Sequence, residues 1–354
     1  MKRKLDDWVD SYLAYQKNTE PPDLYKEWVA YSVIASVLQR KCLLPWGDLT
    51  FYPNMYVVLV GPSGRCRKGT AMNPGEVLLH SSLTIYSQEL TVFLGYNNMA
   101  LMSDLTDWYD CRDRWTYRTK NMGTDDIIGV WVNLIGATTP ELIQTTLPRD
   151  AIGGGLTSRI IFVYEDKKGK LVPAPFLSPR EEQLREDLIL DLERIGSMRG
   201  EFKITTGFLD KYVEWYVKQS SNPPFEDARF SGYNERRANH LLKLCMILSA
   251  SSSHSLAITE KEFDRAIGAL KRVEKKMPMV FSGVGKSETS DVLSRVMLFV
   301  ATKGETSFKE VLKNFYYDAD KDAMTRIVGT LCAMGFCTLI HRGKEIILKH
   351  NKEK

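Results

Sequence analysis

An α/β protein, built on an open parallel sheet and continued by an all-helical part, is what the sequence predicts from three observations. Short continuous runs of apolar and β-branched residues recur in the first half of the chain, as expected of strands buried on both faces. Polar and helical stretches separate these runs, the alternation that builds an open sheet. Beyond about residue 180 the runs almost vanish and helical spacing takes over. At 354 residues the chain has room for two or three domains on a prior of about 150 residues each.

The elements follow in order. Residues 5–16 and 23–40 carry apolar side chains at helical spacing, and Pro21-Pro22-Asp23 supplies a start signal for the second, so an N-terminal helical collar is expected over 1–50. Met55–Val60 (MYVVLV) reads as a buried strand closed by Gly61. Leu83–Tyr86, Ile128–Ala137 and Arg159–Tyr164 have the same character, which sets a sheet-bearing core at 51–166. The Lys- and Pro-rich stretch 165–180 reads as a linker. Residues 180–195, 205–220, 233–250 and 259–277 then read as helices, the last begun by a Thr259/Glu262 capping box, and a helical lid is expected over 167–277. Residues 278–287 read as a second linker before a last domain at 288–354.

Composition excludes several classes. The 44% hydrophobic and 26% charged fractions rule out wholesale disorder, collagen-like repeats and a membrane bundle. No apolar run approaches the ~18 residues that span a bilayer. The N-terminus, MKRKLDDWVD, has no apolar stretch behind its charges, so no secretory signal is read and a cytoplasmic location is expected. Six cysteines, at 42, 66, 111, 245, 332 and 337, form no C-x-x-C pair and read as reduced thiols. The net charge of +4 permits nucleic-acid contact without requiring it.

The strongest local signal is a strand followed by a glycine-rich loop and a lysine, Gly61-Pro-Ser-Gly-Arg-Cys-Arg-Lys-Gly-Thr70. A loop that cradles phosphate needs glycines to turn backbone N–H groups inward, a lysine for the β/γ-phosphates and a hydroxyl for Mg²⁺. Gly61, Ser63, Gly64, Lys68 and Gly69 are the candidates for nucleotide, with Thr70 for the metal. The spacing departs from G-x-x-x-x-G-K-[ST]: Lys68 stands one residue late and Gly69 occupies the hydroxyl position. A second G-K-S, at 285–287, lacks the leading glycine. Glu89, after the strand Leu83–Tyr86, is the candidate catalytic base, with Gln88 where an Asp usually stands. Asn133 and Thr138 are candidates for positioning water against the γ-phosphate, although Asn133 reads equally as a hydrogen-bonded core amide.

Arg159 follows the cluster Gly153-Gly-Gly155 at the mouth of a strand and reads as a cation beneath a flexible loop. Arg236 or Arg237, at the start of the 233–250 helix, is a candidate nucleotide contact from the lid. Asp104, Asp107 and Asp110 recur at three-residue spacing, which suits a metal cluster and, preferably, a solvated helix face. Arg114, Trp115, Tyr117, Arg118 and Lys120 have the basic and aromatic mixture that grips single-stranded nucleic acid. In the last domain Thr306-Ser307 caps a short helix, Asp320–Met334 forms a longer one ended by Gly335, and two strands flank His341-Arg-Gly-Lys344. That order resembles a winged helix. Such a unit lays its longer helix along DNA while a basic wing reaches phosphate, with Arg326, Arg342 and Lys344 as contacts here; others bind protein.

These pieces together resemble the AAA+-type P-loop ATPases of phages and mobile elements, of helicase or primase-helicase type. The likeness is carried by residues 52–70 (YPNMYVVLVGPSGRCRKGT), 84–90 (TIYSQEL), 105–121 (LTDWYDCRDRWTYRTKN), 133–143 (NLIGATTPELI) and 151–166 (AIGGGLTSRIIFVYED). It implies a P-loop NTPase fold with a helical lid. It also implies an ATP- and Mg²⁺-dependent DNA motor, a homo-oligomer of hexameric type, and Arg159 as an arginine finger reaching a neighbour's γ-phosphate. The competing readings are a nucleotide-switched loader or initiator and a defence-type sensor ATPase that does not unwind. One feature fits neither the family nor the physics: only 18 residues separate Thr70 from Glu89, where helix, strand and helix need on the order of forty. The expectation is that a segment is absent between about Glu76 and Ser82.

Overall fold

The computed structural model describes residues 3–62, 84–95, 98–119, 123–147, 153–281, 288–317, 319–342 and 345–351. The absent segment expected near 76–82 lies outside them. The chain forms two compact units, Met1–Phe281 and Ser282–Lys354.

In the first unit, α1 (Trp8–Tyr15) and α2 (Asp23–Leu38) precede β1 (Cys42–Trp46), β2 (Leu49–Phe51) and β3 (Tyr56–Val60). Then come β4 (Thr84–Ser87), α3 (Leu90–Leu94), α4 (Met99–Tyr109), a hairpin of β5 (Arg114–Thr119) and β6 (Gly123–Ile128), β7 (Asn133–Thr138), α5 (Pro140–Thr146) and β8 (Ile160–Tyr164). Four of these strands make one sheet in the order β4-β7-β3-β8, every neighbour parallel. Both β3 and β7 are buried along their whole length, which is why their sequences are continuous apolar runs instead of alternating ones. The run Ile128–Ala137, expected as one strand, is broken at Gly129. That residue has φ +68 and its N–H donates to the Asp113 carbonyl at 2.7 Å, so Ile128 closes the hairpin and β7 starts at Asn133.

Helix α2 is buried almost all round, because it lies between the sheet on one side and two later helices on the other. Those are α6 (Pro179–Gly196) and α8 (Ser231–Ser252), with α7 (Thr206–Ser221) and α9 (Glu260–Glu274) completing the helical part. The short strands β9 (Gly200–Glu201), β10 (Lys203–Ile204) and β11 (Ala257–Ile258) stitch it together, β9 pairing in parallel with β1 through Cys42↔Gly200. The capping box at Thr259 and Glu262 is present. Collar, sheet and lid therefore fall within one compact unit, Met1–Phe281, where the sequence suggested three regions. Nor are residues 278–281 a linker: Met277–Phe281 is a 3₁₀ turn whose Phe281 ring meets Phe162 at 5.2 Å and Phe230 at 5.6 Å.

The second unit contains α10 (Glu288–Lys303), β12 (Glu305–Ser307), α11 (Phe308–Asn314), α12 (Lys321–Ala333), β13 (Cys337–Arg342) and β14 (Glu345–His350), with sheet order β12-β14-β13. Its core is its own, centred on Val296, Val300, Val311, Met324, Ile327, Leu331 and Leu348. Two sequence signals act as read: Ser307 caps α11, and Gly335 at φ +73 follows α12; Asp320, read as the first residue of that helix, is its N-cap instead. No helix among the described residues is long and apolar enough to cross a membrane.

Candidate functional sites at the two edges of the sheet

Because all four strands run the same way, the sheet has a carboxyl edge and an amino edge with different side chains at each. At the carboxyl edge β3 runs into Gly61, whose N–H donates to the Thr138 carbonyl at 3.3 Å, and the Glu165 N–H donates to the Val60 carbonyl at 3.0 Å. The Tyr25 hydroxyl donates to the same Val60 carbonyl at 2.6 Å. The chain leaves β3 for β4 on one side of it and later crosses to β8 on the other, which makes this edge a topological switch point, where open α/β sheets bind ligands. Thr138 is buried, and among the described residues its hydroxyl has no hydrogen-bond partner.

Glu89 directly follows β4 at this edge. It is exposed, stands at the N-cap of α3 and makes no side-chain cap bond. Gly136 sets its place, since a Cβ there would come within 3.0 Å of Leu90 Cδ1; the glycine lets α3 seat on β7. The rest of the candidate phosphate loop, Ser63, Gly64, Lys68, Gly69 and Thr70, lies outside the described residues.

The amino edge holds two of the residues singled out from the sequence. Asn133 starts β7, five residues and so about 17 Å from Thr138. Its Oδ1 accepts from the Met55 N–H at 2.9 Å, and its Nδ2 donates to the Ser32 carbonyl at 3.2 Å and hydroxyl at 3.1 Å. It is the core amide of the alternative reading and sits at the wrong edge to touch a γ-phosphate. Arg159 precedes β8, again at the amino edge. Its side chain is only 8% exposed and donates to Asp110 Oδ2 at 2.6 Å and to the Gly155 carbonyl at 2.9 Å. Within the chain its guanidinium is therefore engaged by Asp110 and the Gly155 carbonyl. The glycine loop above it is fastened: Gly232 donates to the Gly153 carbonyl at 3.0 Å, and a Cβ on Gly232 would meet that oxygen at 2.4 Å.

Asp110 is the hub that sequence reading missed. It lies one residue beyond α4 and also attracts Arg236 at 3.7 Å. Burial and the nearby Arg159 charge lower the Arg236 pKa. Behind it, Lys243 is buried, donates to Asn54 Oδ1 and lies 4.0 Å from the centre of the Tyr109 ring. Burial pushes its pKa down to about 8. His240 Nδ1 lies 3.2 Å from the Tyr109 hydroxyl and Nε2 lies 3.3 Å from the Ser158 carbonyl. Since a carbonyl only accepts, Nε2 carries the proton and Nδ1 accepts, and burial holds the ring neutral with a pKa near about 3. Arg237 is not a nucleotide contact from the lid: its guanidinium is buried in a two-point pair with Glu274, at 2.6 and 2.8 Å, and donates to Gln219 Oε1 at 3.0 Å.

The basic and aromatic stretch is the β5–β6 hairpin. Arg114, Trp115, Tyr117 and Arg118 lie on β5, with Arg118 paired to Thr124, and Trp115 meets Trp108 edge-on at 5.4 Å. Lys120 lies outside the described residues. Asp104 and Asp107 lie on α4 and, with Asp110, form no group able to hold a metal among the described residues. In the second unit Arg326 is exposed on α12 and Arg342 ends β13, while Lys344 lies outside the described residues. No protein-family model matches the chain, and none of the curated proteins compared with it is similar in sequence.

Proposed function

We propose that the chain is an ATPase of AAA+ type acting on single-stranded DNA, with ATP bound across the carboxyl edge of the sheet. The observation that carries this reading is the strand order β4-β7-β3-β8, which lines up the Gly61 turn, the Thr138 hydroxyl and Glu89 at a switch point. In it, Lys68 neutralises phosphate charge and Thr70 holds Mg²⁺. The exposed Glu89 carboxylate takes the proton from the attacking water, and the Thr138 hydroxyl, unspent among the described residues, orients that water. Bound Mg²⁺ supplies further neutralisation of the phosphates. A homo-oligomer, hexameric by resemblance, with the hairpin and the winged-helix-like unit as DNA contacts, completes the reading. Any cation supplied in trans is a residue other than Arg159.

The second reading, a nucleotide-switched DNA-binding protein without unwinding activity, is favoured by the internal pairing of Arg159 and by Gly69 in place of a hydroxyl residue. Two variants test the first. Lys68→Ala abolishes ATP binding, whereas Glu89→Gln binds ATP and loses turnover by 10²–10⁴-fold, roughly the range of general-base contributions. Equal loss of affinity in both variants removes Glu89 from its role. Tight ATP binding with no turnover in the parent protein selects the switch.

A further inference from the structure

At the amino edge of the sheet a cleft of about 210 Å³ opens between β2 and the end of α4. It is lined by Leu49–Tyr52, Tyr109–Cys111, Asn239 and Lys243. Three properties mark it as more than a gap. The charge is unbalanced: Lys243, Arg159 and Arg236 gather around the Asp110 carboxylate. Donors are left over: of the three Lys243 N–H groups only one has an acceptor, and no hydrogen bond engages the Asn239 amide, each among the described residues. The rim is aromatic, with Phe51 beside Tyr52, whose ring stacks beneath Arg40 at 4.4 Å. Burying a cation and leaving its donors unspent costs stability, and an anion reaching Lys243 removes that cost.

We propose that this cleft binds a phosphate ester that carries a base, the phosphate at Lys243 and Asn239 and the base against Tyr52, and that its occupant is a single-stranded nucleic acid. Cationic charge beside aromatic faces is how sequence-tolerant single-strand sites are built. The strand source is favoured over a free nucleotide because Arg40 ties the cleft's rim to the segments that flank the β5–β6 hairpin. The lining residues Asp110 and Cys111 precede Arg114 by only a few positions, and Arg40, stacked on Tyr52, donates to the Cys111 and Val130 carbonyls at the hairpin's root. The inference rests on the nucleic-acid half of the proposed function and is independent of Lys68.

The test is fluorescence anisotropy of the full chain with labelled oligothymidylate, and with labelled AMP as the free-nucleotide arm. Lys243→Met and Tyr52→Ala each weaken oligothymidylate binding about tenfold, the scale of one charged hydrogen bond or one base stack. Asp110→Asn, which removes the competing carboxylate, tightens it severalfold. That gain separates an anion site from a structural ion-pair network, in which the same change only loosens the fold. Lys68→Ala, measured alongside, loses ATP and keeps oligothymidylate, so a failure at the carboxyl edge is told apart from a failure here. If only AMP binds, and Lys243→Met abolishes it, the site stands with a free nucleotide as occupant. Parent-like binding of both probes by a folded Lys243→Met, no binding of either probe by the parent, or an Asp110→Asn as weak as Lys243→Met, overturns the proposal.

Discussion

At the carboxyl edge of the sheet Thr138 and Glu89 make no side-chain hydrogen bond among the described residues, whereas at the amino edge Asn133 spends its whole amide on Met55 and Ser32, and Arg159 is held by Asp110 and Gly155. The same sheet thus has one edge whose polar groups are unspent and one whose polar groups mostly hold the fold together. Binding edges leave groups for a ligand, and structural edges use theirs internally. The amino edge is mixed in this respect, since around Lys243 its cations outnumber its carboxylates.

The largest effect that sharpens the contrast is at Arg237. Arg237→Ala strands Glu274 in the interior and lowers unfolding free energy by about 3–5 kcal/mol, the cost of breaking a buried pair, with ATP affinity per folded molecule unchanged. Denaturant titration with nucleotide binding on the refolded fraction measures both. A weakened ATP site in that fraction would return Arg237 to the nucleotide.

Next in size is a pair of opposite sign. Asn133→Ala leaves the Met55 N–H and the Ser32 carbonyl without their partner and costs about 1–3 kcal/mol. Thr138→Val removes a buried hydroxyl that has no partner among the described residues; it leaves stability unchanged or raised while slowing turnover. Equal destabilisation of the two variants would erase the difference between the edges.

One contribution to the pH dependence of stability lies at the amino edge. The folded-state pKa of His240 is depressed to about 3 from an unfolded 6.5, so the unfolded chain binds the extra proton first. Its contribution is fully present above pH 6.5 and is lost as pH falls toward 3. The environment of the ring is cationic, with Lys243, Arg236 and Arg159 around it and the Tyr109 hydroxyl and Ser158 carbonyl in contact. In His240→Gln this acid limb is shallower. Melting midpoints that fall equally steeply in parent and variant between pH 6.5 and 4 would remove His240 as the cause.

The smallest signal is expected from mixing. Because Arg159 pairs within its own chain, mixing Arg159→Ala with Glu89→Gln gives no turnover beyond that of the Arg159→Ala protein present, even where the two co-assemble. Recovery would show that the Asp110 pair opens on assembly and that Arg159 does reach a neighbour.

The elements that the sequence announced are those specified locally. The buried runs of β3 and β8, the capping box at Thr259 and Glu262, and the Ser307 and Gly335 signals each act within a few residues of themselves. The strands β9, β10 and β11 are two residues long and carry no period to read. Asn133 stayed open between two readings for a local reason. With the break at Gly129 unseen, it falls in the middle of a strand, and only the true start of β7 sends it to the amino edge. Asp110 was illegible for another reason: its partners Arg159 and Arg236 arrive from β8 and α8, 49 and more residues away, and no spacing encodes their meeting. Sequence alone therefore determined the long buried strands, the main helices and their caps, because propensity, capping and burial pattern are short-range. Only the tertiary structure decided which edge each polar side chain occupies and which cations share a carboxylate, because strand order and long crossovers bring those groups together.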